Sequence, residues 1–132
     1  MNVLLVEDDP ALRKTAAAAL ALCGHEVTST EDGLQALAEV DAQRPHIVVL
    51  DLHMPDMDGW EFLRRFRAMP DCAEIPVVVM SAAVRVAVDE LDAQAFFAKP
   101  FDLDEFIDVV EQLLAVPTGH GQPHARPHNE RA

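Results

Sequence analysis

Four short stretches carry side chains able to do chemistry. Glu7, Asp8 and Asp9 follow "NVLLV", Asp51 ends "HIVVLD", Ser81 follows "VVVM", and Lys99 with Pro100 follows "AFFA". Taking an ionised carboxylate out of water is costly, so an acid delivered by a core-type run such as Ile47 to Leu50 needs a cation, hydrogen bonds or a function to compensate. Two or three carboxylates brought together need a strong cation, and an all-oxygen cluster that leaves positions for water and phosphate suits Mg²⁺. Beside such a site Asp51 could accept a phosphoryl group as an aspartyl phosphate. A lysine ammonium and a short hydroxyl would then neutralise the phosphoryl oxygens.

Taken singly, each stretch has a plainer reading. An acidic run is usually a solvated turn or helix cap, Lys-Pro a helix boundary, and a serine an ordinary cap. What gives the four weight is their order, each one behind a separate apolar run.

Those runs alternate with helical patterns. "NVLLV" leads to "DPALRKTAAAALALCG", with Asp9 as N-cap, Pro10 in the first turn and Gly24 past the end. "HEVTST" is β-branched, and "DGLQALAEVDAQ" places Leu34, Leu37 and Ala38 on one helical face. "HIVVL" precedes "GWEFLRRFRAM", where Phe62 and Phe66 stand four apart and Pro70 ends the helix. "IPVVVM" and "AFFA" complete five strands. "VRVAVDELDA" reads as a short, ambiguous helix, and "DLDEFIDVVEQLLA" as a fifth with a stripe through Leu103, Phe106, Ile107, Val110 and Leu113. Alternating strands and helices with apolar inner strands predict an α/β fold, a five-stranded parallel sheet covered on both faces. Right-handed crossovers leave few strand orders, and 2-1-3-4-5 is expected because it is the common one among five-stranded open sheets. In that order Asp51 faces the acidic run on one side and Ser81 on the other, with Lys99 next beyond.

A chain of 132 residues, half of them hydrophobic, fits one domain. It is expected to span residues 1–116, followed by a disordered tail over 117–132 that is rich in Pro, Gly and His. His120, His124 and His128 lie in that tail, where an unstructured set would bind a metal only weakly and implies no ordered cage. The longest apolar run, Ala16 to Cys23, is too short to span a membrane and "MNVLLVEDD" lacks a basic leader, so the chain is expected to be soluble and cytoplasmic with Met1 as a natural start. Cys23 and Cys72 have no metal-ligand spacing and read as reduced thiols. The net charge is −13, and because the tail carries +1 the domain holds −14, a surface that repels nucleic acid and anionic membranes.

From "VLLVEDD" through "VVLDLHMPDMDG" and "VVVMSA" to "FFAKPF", residues 2 to about 115, the sequence resembles a receiver domain of the bacterial two-component response regulators. The resemblance implies a phosphorylation-dependent switch, of the stand-alone type, with limited self-phosphorylation and self-dephosphorylation. Asp51 matches the phosphoacceptor, Glu7 and Asp8 the acidic pair, Ser81 the switch hydroxyl, Lys99 the family's lysine and Phe96 the aromatic switch. The backbone carbonyl of His53 matches the third protein ligand to Mg²⁺, beside Glu7, Asp8 and Asp51, and the Lys99–Pro100 bond is implied to be cis. Implied partners are a sensor histidine kinase or histidine phosphotransfer protein, docking near Arg13 and Lys14, and an unidentified downstream protein. The domain is expected to be a monomer or weak dimer, touching neither nucleic acid nor membrane. The alternative is a receiver fragment of a larger response regulator or hybrid kinase whose output domain is absent.

Two rival functions fail on residues. A flavin carrier on this fold needs a phosphate-binding loop after the first strand, where three acids would repel the phosphate. A phosphatase resembling the haloacid dehalogenase group needs a second Asp two past the nucleophile, and residue 53 is His. The chain also departs from the receiver pattern: only 17 residues separate Ser81 from Lys99, and "LDAQAFF" lacks the glycine common before the fifth strand. The fourth helix is therefore expected to be short or shifted, and Trp60 to cap the third helix on its surface side.

Overall fold

The computed structural model describes residues 1–54, 57–82 and 92–115. Five strands, β1 (Asn2–Val6), β2 (Glu26–Thr30), β3 (Ile47–Asp51), β4 (Val77–Ser81) and β5 (Ala95–Ala98), form one parallel sheet in the order β2-β1-β3-β4-β5. Helices α1 (Pro10–Leu22), α2 (Gly33–Ala42), α3 (Gly59–Ala68) and α4 (Leu103–Ala115) connect and flank it. The doubly wound parallel sheet is the fold expected from the strand runs, and α4 is the fifth of the expected helices. The expected fourth, over 84–93, and the expected tail over 117–132 lie outside the described residues, apart from Asp92 and Ala93, which are not helical.

The period-two alternation of each inner strand divides the core. Leu4, Val6, Val48, Leu50, Val77 and Val79 face α2 and α3, meeting Ala36, Val40, Phe62, Leu63 and Phe66. Their neighbours Val3, Leu5, Ile47, Val49, Val78 and Met80 face α1 and α4, meeting Ala16, Leu20, Phe106 and Val110. Every residue of β3 and β4 is buried, whereas the edge strands β2 and β5 are only partly covered. Packing on both faces is why the inner strands read as unbroken apolar runs.

Each helix among the described residues begins on an aspartate that satisfies orphan N–H groups of its first turn. Asp9 accepts from Ala11 and Leu12, Asp32 from Gln35, Asp58 from Glu61, and Asp102 from Asp104 and Glu105. The cap of α3 is thus Asp58, and Trp60, expected there, occupies the helix's second position and is 43% exposed.

The face expected for α2 is corrected. Leu34 and Ala38 are exposed, and the helix is buried through Gly33, Ala36 and Val40, with Leu37 at the margin. Met57 explains the choice: its Sδ lies 3.0 Å from where a Cβ on Gly33 would sit, so the helix start approaches closely only through a residue without a side chain. In α4 the stripe is as expected, with Phe106 and Val110 fully buried and Leu103, Ile107 and Leu113 packed around them.

Gln94 stands immediately before β5, in the stretch that lacks a glycine. Its side-chain oxygen accepts from the Val77 amide at 2.7 Å and from Arg67 at 3.3 Å. Arg67 in turn donates to the carbonyls of Cys72, Ala73, Ile75 and Asp92, pinning the end of α3 to the entries of both β4 and β5. Cys23 is an exposed and Cys72 a buried free thiol. No helix among the described residues is long and apolar enough to cross a membrane.

Candidate functional site

In a parallel sheet all strands end at one edge, and here the edge gathers the chemistry. Register sets the heights: Val6 pairs with Leu50, Asp51 with Met80, and Ser81 with Ala98. Glu7, one residue past β1, therefore stands level with Asp51, and Lys99 follows Ala98. Glu7, Asp51 and Ser81 are all buried, while Asp8 is exposed at the rim.

Lys99 ties the buried acids together. Its Nζ lies 2.9 Å from Glu7 Oε1 and 3.3 Å from Asp51 Oδ2, with a fifth of the side chain exposed. The Lys99 amide donates to the Ser81 carbonyl at 2.8 Å, and the Lys99–Pro100 bond is cis, as the resemblance implied. The other oxygen of Glu7 accepts from the Asp9 amide at 3.0 Å, while Oδ1 of Asp51 accepts from the His53 amide at 3.1 Å.

Burial pushes the Glu7 carboxyl above the usual glutamate value; hydrogen bonds from Asp9 and Lys99 oppose this, and the Asp51 charge adds to it. Burial alone would lower the Lys99 ammonium, but its bond to Glu7 and the charge of Asp51 outweigh that and hold it above the ordinary lysine range. A charged lysine is thereby locked between two acids.

Carboxylate oxygens of Glu7, Asp8 and Asp51 approach within 4.8 Å of one another. Three hard oxygen donors around one point, two of them buried and sharing a single ammonium, match the chemistry of a small divalent cation such as Mg²⁺. The acids expected to hold the metal are therefore together. His53 is exposed, on the first turn after Asp51. Phe96 is half-buried on β5, beside Val79, and packs at the margin of the α2–α3 core.

Three contributors escaped the sequence reading. Arg13, expected only as part of a docking face, turns its guanidinium onto the carbonyls of Glu7 (2.8 Å) and Asp8 (3.4 Å) and so holds the acidic loop. Gly59 closes the loop that leaves Asp51, its amide donating to the Leu52 carbonyl at 2.8 Å. Trp60 meets His53 edge to face, ring centroids 5.9 Å apart at 78°. Only Gly59 carried a signal in sequence, a glycine in a Pro/Asp-rich turn; the other two depend on where side chains meet in space.

Comparison with known proteins agrees with this geometry. A profile described as the response regulator receiver domain matches residues 3–111. The response regulator MprA of Mycobacterium avium is 35% identical over 118 residues, 86% of this chain and 51% of the relative, so the chain spans about half the length of the curated relatives it matches. A putative response regulator from Chloroflexus aurantiacus superposes with a TM-score of 0.81 at 26% identity, covering 87% of this chain and 98% of the other. The receiver domain of the sensor histidine kinase PA1611 from Pseudomonas aeruginosa, a structure with a magnesium ion coordinated in its active-site cleft, gives 0.79 at 27% identity with the same coverage.

Proposed function

This chain belongs to the response regulator receiver domain family, and from that premise we propose that it is a phosphorylation-dependent signalling switch with Asp51 as the phosphoacceptor. The observation that carries the reading is the bridge of Lys99 between Glu7 and Asp51. It sets a nucleophilic carboxylate beside a fixed positive charge and next to an acidic set fit for a metal.

An oxygen of Asp51 attacks the phosphorus of a phosphohistidine on a partner kinase or phosphotransfer protein. An O–P bond forms, the P–N bond breaks, and the electron pair returns to the histidine ring. Lys99 and the Ser81 hydroxyl donate to the phosphoryl oxygens, while the His53 amide orients the acceptor through its bond to Oδ1. Glu7, Asp8, Asp51 and the His53 carbonyl would hold Mg²⁺. Bound there, the ion supplies charge neutralisation for the transferring group. Arg13 keeps the backbone of the acidic pair in place.

The output is a change of protein contacts: engagement of Ser81 by the phosphoryl group draws the strand end of β4, and the half-buried Phe96 on neighbouring β5 repacks. A domain charge of −14 argues against direct binding of nucleic acid by these residues. Activity as an enzyme is confined to labelling itself from small phosphodonors and to hydrolysing its own acyl phosphate. We assign the domain to the cytoplasm, as a monomer or weak dimer. A second reading, a receiver portion of a longer regulator or hybrid kinase, is favoured by one specific observation, the 51% coverage of the curated relative.

Incubation with acetyl phosphate, with and without Mg²⁺, tests the proposal on the wild type and Asp51→Asn. Intact mass should show one Mg²⁺-dependent phosphoryl group, labile to hydroxylamine and missing in the variant. Labelling that survives the substitution would overturn the assignment of Asp51.

A further inference from the structure

The loop that carries the chain away from Asp51 returns to its own start. The Gly59 amide bonds to the Leu52 carbonyl, and a Cβ on residue 59 would lie 2.6 Å from Leu52 Cα and 2.7 Å from the Asp51 carbonyl oxygen. This close approach brings the first turn of α3 against the residues just after the phosphoacceptor. Trp60, next in the chain, stands outside both hydrophobic cores, whereas Phe62, Leu63 and Phe66 of the same helix are core residues. Its ring meets that of His53, whose own amide holds Asp51 Oδ1.

We propose that Trp60 is a positioning residue for the chemistry of Asp51: through its edge-to-face contact it holds the His53 ring as a wall on the α3 side of the site, and so sets the lifetime of the phosphoryl group. The inference rests on the switch reading. A solvent-exposed tryptophan on a helix usually does nothing for a neighbouring site. Here the ring is tied to a residue that touches the nucleophile through its amide and stands at the surface with its side chain. Loss of the phosphoryl group needs water. Its oxygen bonds to phosphorus, the bond from phosphorus to Asp51 breaks, Asp51 leaves as a carboxylate, and the two protons of the water depart with inorganic phosphate as H₂PO₄⁻. A wall of two packed rings restricts the approach of that water. An imidazole freed from the indole moves and opens it.

The test uses the full chain, labelled with acetyl phosphate and Mg²⁺ and then freed of donor, with phosphoryl decay followed by intact mass. Trp60→Ala should decay about fivefold faster, a factor in keeping with an aromatic pair of ordinary strength. Trp60→Phe should restore most of the lifetime, and Trp60→Ala/His53→Ala should decay no faster than His53→Ala, because one wall is being removed. Unchanged decay in Trp60→Ala, or additive effects in the double variant, would overturn the proposal. Should Trp60→Ala misfold, His53→Ala decides, and a wild-type lifetime there overturns it equally. A wild type that takes no label at Asp51 would remove the switch reading and this inference together, an outcome distinct from a labelled wild type with an indifferent Trp60.

Discussion

Lys99 stands nearer to Glu7 than to Asp51, 2.9 Å against 3.3 Å, so the cation of the site is shared between the candidate metal ligand and the phosphoacceptor. A divalent ion entering the acidic cluster must compete with that ammonium for the same carboxylates.

Removing the competitor should therefore tighten metal binding. Lys99→Met is expected to raise Mg²⁺ affinity about tenfold, the order set by one unit charge a few ångströms away at a partly shielded site, while phosphorylation by acetyl phosphate falls steeply. Titration calorimetry reads the first effect and mass labelling the second. Equal affinity in wild type and variant would mean that the lysine leaves Glu7 before the metal arrives.

The buried Glu7 carboxyl gives a pH dependence whose sign follows from its raised value. Folding holds its proton more tightly than the unfolded chain does, so this group's contribution to stability is fully present below the ordinary glutamate value of 4.5 and is lost as pH rises through the higher folded value. Near pH 7 the ionised group is thus a net cost in the metal-free protein. Glu7→Gln should stabilise that protein at pH 7 and abolish the benefit added Mg²⁺ brings. Urea melts in chelator, run from pH 4 to 8, should show the gap between variant and wild type closing toward the acid end.

Gly59→Ala should be far more harmful than its size suggests. The added methyl would meet backbone atoms of Asp51 and Leu52 below 3 Å, and the hydrogen bond from Gly59 to Leu52 must open to make room. A loss of about 2 kcal/mol or more is expected, with phosphorylation impaired because the displaced backbone belongs to the acceptor. A fully stable and active Gly59→Ala protein would contradict the tight closure of this loop.

Arg67 is expected to behave as a buried hub and not as a surface charge. Its side chain is mostly buried, stacks over Phe66 at 5.5 Å and serves carbonyls from the segments entering β4 and β5. Arg67→Ala should cost about 3 kcal/mol, and Arg67→Lys should recover little of it, since an ammonium lacks the planar fork that spans both segments. Hydrogen exchange at Phe96 and Phe97 should rise first, which would show that the loss begins at β5.

Much of this protein was legible along the chain. Apolar runs marked β1, β3, β4 and β5, the inner ones because they are buried on both faces; β-branched residues marked the more exposed β2. Asp9 marked the first helix cap because a short acidic side chain satisfies free amides, whereas the caps Asp32, Asp58 and Asp102 emerged only in the structure. Glu7, Asp8, Asp51, Ser81 and Lys99 could be singled out since each follows a strand and parallel strands end at one edge. Tertiary structure decided the rest. Leu34 reads as core by its type, yet Gly33 and Ala36 are buried instead, because a helix lying close to its neighbours presents its smallest residues. His25 and Glu111 pair at 2.7 Å across 86 residues, Trp60 meets His53 around a closed loop, and Arg67 binds two strand entries at once. Such contacts leave no periodic trace in sequence, since they depend on the distance between elements after packing and not on the spacing within any one of them.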